Sequence, residues 1–257
     1  MEKTRFSFMK TAARFCTALR FLTLVPLSYK VREDPENFTK SLVFFPVVGL
    51  LIGGVAAAIS TLLLQLFPIS VVALLSIVFL AFISGCLHLD GLADSADGLF
   101  SARPREASLE IMKDSRVGAM GVIAVGVVLL GKYAALSSIS AELLPTALLL
   151  MPLAGRTVIL FTMAFLPYGR AEGGLGKLFY SDSSRKTALI ALLLFYLVIL
   201  TVLPAKAIPA TVLVIGCCVI FNGACKAKLG GATGDTLGAN CEIGELMMAV
   251  SVSCFYF

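Results

Sequence analysis

The chain has 257 residues, 58% of them hydrophobic and only 14% charged, with a mean hydropathy of +0.95 and a net charge of +5. Soluble domains carry roughly 25% charged residues, so a deficit over the whole length argues against a soluble protein and points to one integral membrane domain, residues 1–257. No basic run is interleaved with aromatics, which argues against a nucleic-acid partner, and seven cysteines without a CxxC pair beside a single histidine do not support structural zinc.

Residues 7–27 (SFMKTAARFCTALRFLTLVPL) set Lys10, Arg14 and Arg20 among apolar residues. That pattern predicts a helix at the membrane interface, or a tilted buried one whose cations snorkel. A spanning helix needs about 20 apolar residues, which predicts spans at roughly 42–66, 71–88, 117–138, 143–166, 187–203 and 209–225. The apolar end, about 246–257, reads as a seventh span, a half-span or a cut terminus. The expected fold is therefore an all-α polytopic transmembrane bundle of about six or seven spans. Eighteen Lys or Arg lie in 1–40, 89–116, 167–186 and 226–245, whereas the alternate loops hold only Lys206. This bias puts the N-terminus and the long polar loops on the cytoplasmic side.

Between the second and third predicted spans the chain reads HLDGLADSADG, His88 to Gly98. Asp90, Asp94 and Asp97 are spaced i, i+4, i+7, within roughly 60° of one helix face. Like charges at that spacing destabilise a helix, more so where solvation is poor. A bound divalent cation relieves both costs, and hard oxygen ligands without clustered His or Cys favour Mg²⁺ or Mn²⁺ over zinc. The plainer reading, a solvated helix end, is disfavoured by Gly91 and Gly98, since glycine inside a helix costs about 1 kcal/mol relative to alanine. His88, two residues before Asp90, is as readily a packing residue as a catalytic one.

Next comes SARPREASLEIMKDSRVGAMG, in which Arg103, Arg105, Lys113 and Arg116 are candidates to neutralise phosphates and Asp114 adds a fourth carboxylate. Singly, each cation is an ordinary membrane-flanking charge; beside an acidic cluster they resemble the two halves of a phosphoryl-transfer site. Arg156, inside the span 143–166, is costly to insert and is expected to face the bundle interior toward an acidic partner or a substrate phosphate. Two glycine-rich stretches follow, PYGRAEGGLGKLF with Arg170 and KLGGATGDTLGANCEIGE with Asp235, Glu242 and Glu245. Both suit close backbone approach to phosphate, but neither is a P-loop or a Rossmann fingerprint.

The motifs HLDGLADSADG, IMKDSRVGAMG and GGATGDTLGANCEIGE, together with FLTLVP, FFPVVGLLIG and PYGRAEGGLG, resemble the cobalamin synthase family, also called adenosylcobinamide-GDP ribazoletransferase. The resemblance runs along nearly the entire chain. It implies a multi-pass enzyme of the bacterial cytoplasmic (inner) membrane that joins adenosylcobinamide-GDP to α-ribazole or its 5′-phosphate, releases GMP and requires Mg²⁺. On that footing Asp90, Asp94 and Asp97 are the expected metal ligands. Arg103, Lys113, Arg116, Arg156 and Arg170 are the expected phosphate ligands, and His88, Asp114 and Asp235 the expected catalytic groups. A homo-oligomer is left open. CDP-alcohol phosphotransferases run a similar displacement, but their DGxxAR…GxxxDxxxD pattern is not met, because Asp90-Gly91-Leu92-Ala93 is followed by Asp94. An acidic-site cation transporter is the other rival, although transporters usually place charge near the bilayer midplane.

Overall fold

The computed structural model describes residues 2–27, 35–170, 180 and 184–254. Among these residues the chain forms α1 (Glu2–Leu22), α2 (Pro35–Ser41), α3 (Phe45–Leu63), α4 (Ile69–Ile83), α5 (Leu87–Leu99), α6 (Arg105–Ile111), α7 (Ala119–Ser138), α8 (Leu144–Phe165), α9 (Ser184–Val202), α10 (Ala207–Leu229) and α11 (Gly234–Cys254). The expected all-α bundle is what forms: among the described residues there is no strand, only an isolated bridge between Tyr168 and Ala232. Five helical stretches are long and apolar enough to cross a bilayer, ending in or forming α3, α7, α8, α9 and α10. A sixth crossing results if α4 and α5 count as one broken span.

That break has a local cause. Gly85 and Cys86 both adopt left-handed backbone conformations, φ 60° and 58°, which no helix can continue through. The chain turns by 87° between α4 and α5. The Leu24 amide donates to the Ile83 carbonyl at 2.8 Å, satisfying one of the acceptors that the end of α4 leaves open. The expected span 71–88 is thus two elements. The acidic stripe sits on the second, which belongs to the bundle and not to a polar loop.

Two helices form the axis. The most apolar window of α8 is 78% buried, against 22–28% for α7, α9 and α10, which are thus mostly unburied. α8 packs chiefly on α3 and α11, and α11 in turn on α5, α7 and α10. Along α3, Gly49 and Gly53 let the backbone close on the carbonyls of Pro152 and Leu149 of α8, so that a side chain at either glycine would collide with main chain.

Three connections are bonded to one another at one end of the bundle. Arg105 donates through Nε to the Leu229 carbonyl and through Nη2 to the Gly169 carbonyl, each at 2.7 Å. Lys228 Nζ donates to the carbonyls of Ser101 (2.7 Å) and Arg103 (2.8 Å). Gly169 and Ala232 complete the junction, the Gly169 amide donating to the Ala232 carbonyl at 2.7 Å. The described parts of the polar stretches expected to lie together do so, but two of the stretches are more helical than expected. Residues 89–116 contain α5 and α6, and most of 226–245 belongs to α10 and α11. The apolar end 246–257 is no separate span: up to Cys254 it is the second half of α11. The glycines, Glu172 and Lys177 of 171–179 lie outside the described residues.

Candidate active site

The turn before α11 shows why GGATGDT forms a site wall. Gly230, at φ 75°, ends α10 in the left-handed conformation that favours glycine. Thr233 and Thr236 then cap α11 reciprocally: the Thr233 amide donates to Thr236 Oγ1 at 2.8 Å, and the Thr236 amide to Thr233 Oγ1 at 3.2 Å. This is capping-box geometry with a threonine in the acidic residue's place. It sets Asp235 in the first turn, where the helix dipole favours a carboxylate. Arg170 reaches Asp235 Oδ2 through Nη2 at 2.7 Å, and Thr233 Oγ1 donates to the same oxygen at 3.3 Å.

α5 lies directly against this turn. A side chain at Gly91 would meet the Asp235 carbonyl at 2.7 Å, so only glycine allows the two backbones to close. Asp90 therefore comes beside Asp235 although the two are far apart in sequence. Both line a cavity of about 260 Å³, together with His88, Tyr168 and Arg170 and an apolar wall from α1, α3 and α8. Asp94, one turn along α5 and half-buried, is within electrostatic reach of Asp90, Asp235 and Asp97, with Arg170 as the nearby cation.

The stripe does not act as one unit. Asp97 accepts from the Gly118 amide at 2.7 Å and from the Gly121 amide at 2.9 Å. It thereby caps the N-terminus of α7, whose own preceding residue Gly118 has no side chain to do so. Of the other two, Asp90 lines the cavity, whereas Asp94 does not and reaches Asp90 and Asp235 only electrostatically. Among the described residues no three His, Cys, Asp or Glu side chains converge as a ready-made metal shell.

Several expected site residues lie elsewhere. Asp114 is held by Arg116 through a forked contact of 2.6–3.2 Å; hydrogen bonds from that guanidinium and from the Arg116 amide bring its carboxyl down to about 2. Lys113 pairs with Glu110 at 2.9 Å, and Arg103 is exposed. Arg103, Lys113, Asp114 and Arg116 are all absent from the cavity lining. Asp114→Asn is accordingly expected to keep turnover within about twofold of wild type, as surface pairs contribute little. A loss of a hundredfold in a steady-state assay would return Asp114 to the reaction.

Arg156 is inside the bundle as expected, 1% exposed, but its partner is protein. It forms an ion pair with Glu245 of α11, and Lys132 Nζ of α7 donates to Glu242 Oε2 and Glu245 Oε2, both at 2.7 Å. Two cations and two carboxylates make a neutral group behind His88, which is itself 4% exposed. Among charges inside the predicted spans, the sequence expectations cover Arg156 and not Lys132. A lysine inside the span 117–138 was the available signal, since a buried charge of that kind requires a partner.

The profile of the cobalamin-5-phosphate synthase family matches residues 14–253. Proteins named adenosylcobinamide-GDP ribazoletransferase are similar along nearly their whole length. That of Acetivibrio thermocellus is 42% identical over 245 residues (94% of this chain, 98% of the relative). That of Clostridium acetobutylicum is 36% identical (95% and 97%), and that of Desulfitobacterium hafniense 39% (93% and 96%). No solved structure matches the chain.

Proposed function

The chain belongs to the cobalamin-5-phosphate synthase family, transferases that join adenosylcobinamide-GDP to ribazole in cobalamin biosynthesis, and we propose that it does so in the cavity between α5, α8 and α11. The observation that carries this placement is the convergence of Asp90, Asp235 and Arg170, from three separate segments, on one cavity. A hydroxyl oxygen of α-ribazole or its 5′-phosphate attacks the phosphorus that bears cobinamide. A new P–O bond forms as the diphosphate bond to GMP breaks, and the hydroxyl proton passes to a carboxylate. Asp235 is that acceptor, oriented by Thr233 and Arg170. Arg170 pairs with the diphosphate oxygens, where a guanidinium fork suits two acceptors at once. His88 forms the wall beside them as a positioning residue.

The carboxylates also fit Mg²⁺. Their donors are hard oxygens, and Asp94 lies within electrostatic reach of Asp90 and Asp235, with Arg170 as the nearby cation to offset them. Mg²⁺ usually takes only one or two protein carboxylates and completes its shell with water and phosphate oxygens. Asp90 and Asp94 would hold it, with Asp97 kept at the start of α7. When bound, the ion would neutralise charge that develops on the diphosphate.

Purified protein given adenosylcobinamide-GDP and α-ribazole 5′-phosphate is expected to release GMP, and to stop when Mg²⁺ is chelated. Failure to release GMP under any divalent ion would overturn the reaction; release unaffected by chelation would overturn the metal. We place the cavity on the cytoplasmic face of the inner membrane, on the strength of the loop charges. A cysteine introduced at the exposed Ala102 in a cysteine-depleted background should resist an impermeant thiol reagent added to intact cells. Labelling from outside would reverse the orientation.

A further inference from the structure

The cavity has two chemically distinct parts. Its polar part is made by Asp90, Arg170 and Asp235, with His88 and Tyr168. Its apolar part is made by Phe21, Phe45, Leu87, Ile159, Met163 and Leu237. Phe21 of α1 and Phe45 of α3 stack on one another, with centroids 6.0 Å apart and planes 21° apart.

We infer that the apolar part receives the flat aromatic base of ribazole against Phe21, with the fully buried Phe45 backing that ring, so that this cavity selects the lower base. The inference rests on the reaction proposed above. Two aromatic bases enter that reaction, guanine and benzimidazole. Guanine carries donors and acceptors along its edge, and burying them unpaired is costly. Of the six apolar side chains only the Met163 sulfur has even a weak acceptor. A benzimidazole has one ring-nitrogen acceptor against guanine's several donors and acceptors, and otherwise presents an apolar benzo edge and two π faces, which aromatic and aliphatic walls accept. Size points the same way. About 260 Å³ lies below the roughly 300–1,000 Å³ of sites that enclose drug-sized ligands, enough for a bicyclic base and too little for a corrin ring. With the base in the apolar part, the ribose hydroxyls are directed to Asp235 and the diphosphate to Arg170.

The test uses the full chain in detergent. Phe21 is half-buried on a peripheral helix, so Phe21→Leu should fold, which the unfolding temperature checks. Phe21→Leu is expected to raise KM for α-ribazole 5′-phosphate about tenfold, the size of one lost base–aromatic contact. KM for adenosylcobinamide-GDP and kcat should stay within about twofold, and Phe21→Tyr should restore the wild-type KM, since either ring offers a face. Equilibrium dialysis of labelled α-ribazole 5′-phosphate reads the same affinity without turnover, and added GMP should not displace it. Unchanged KM and affinity in a folded Phe21→Leu, a rise confined to adenosylcobinamide-GDP, or displacement by GMP would each overturn the assignment. Wild-type protein that binds the nucleotide but releases no GMP would remove the reaction and leave the subsite standing.

Discussion

Asp90→Asn and Asp94→Asn are each expected to lower turnover by about 10²–10³, the usual cost of removing a main electrostatic contributor, with little loss of stability. Asparagine keeps the shape and removes the charge, and in these two positions it relieves repulsion: Asp90 is exposed at the cavity, and Asp94 lies within electrostatic reach of Asp90, Asp97 and Asp235. Asp97→Asn should behave in the opposite way. Its carboxylate accepts from two backbone amides of α7, and an amide group would turn an N–H toward one of them. The expected cost is about 1 kcal/mol of stability, the size of a lost helix cap, seen as a lower unfolding temperature. Steady-state rates across a Mg²⁺ titration, read beside thermal unfolding, separate the two effects. Substantial turnover at low Mg²⁺ in both Asp90→Asn and Asp94→Asn would sink the metal assignment.

Lys132→Met should be among the most destabilising single changes in the chain. It removes the cation that bridges Glu242 and Glu245 and leaves Arg156 alone opposite two buried carboxylates. Breaking a buried ion pair from one side costs about 3–5 kcal/mol, because the remaining charge is uncompensated. Pairing the change with Glu242→Gln restores neutrality and should recover much of the loss, as whole buried pairs are often replaceable at small cost. Purified yield and unfolding temperature in detergent provide the measurement. A Lys132→Met protein as stable as wild type would mean that the group does not hold α7, α8 and α11 together.

Much of the architecture was legible from local pattern. Apolar run length requires helices wherever the chain crosses lipid, since backbone groups find no water there. The i, i+4, i+7 aspartates then share a face by helical geometry alone. The motifs also carried the family, and with it the reaction. The mixture of roles within the stripe was not legible. Asp97 has the residue type and spacing of its neighbours, and only its position beside Gly118 and Gly121 makes it a cap.

The residues that reach the cavity were decided by contacts distant in sequence. Asp235 meets Asp90 because Gly91 lets α11 close on α5, and Arg170 reaches Asp235 because Pro167 and Gly169 bond to Ala232. Asp114 and Arg116, equally charged and nearer to the stripe in sequence, pair with each other outside. Glu242 and Glu245, which read as part of a polar loop, are drawn into the bundle because Lys132 and Arg156 neutralise them there. Periodicity and composition determined that this protein is a helical membrane bundle with acidic and basic residues gathered at one end, because burial of the backbone in lipid acts on each segment separately. Which charges meet substrate, which cap a helix and which cancel inside the core was left to tertiary packing, because a charge acquires its role from the partner brought to it.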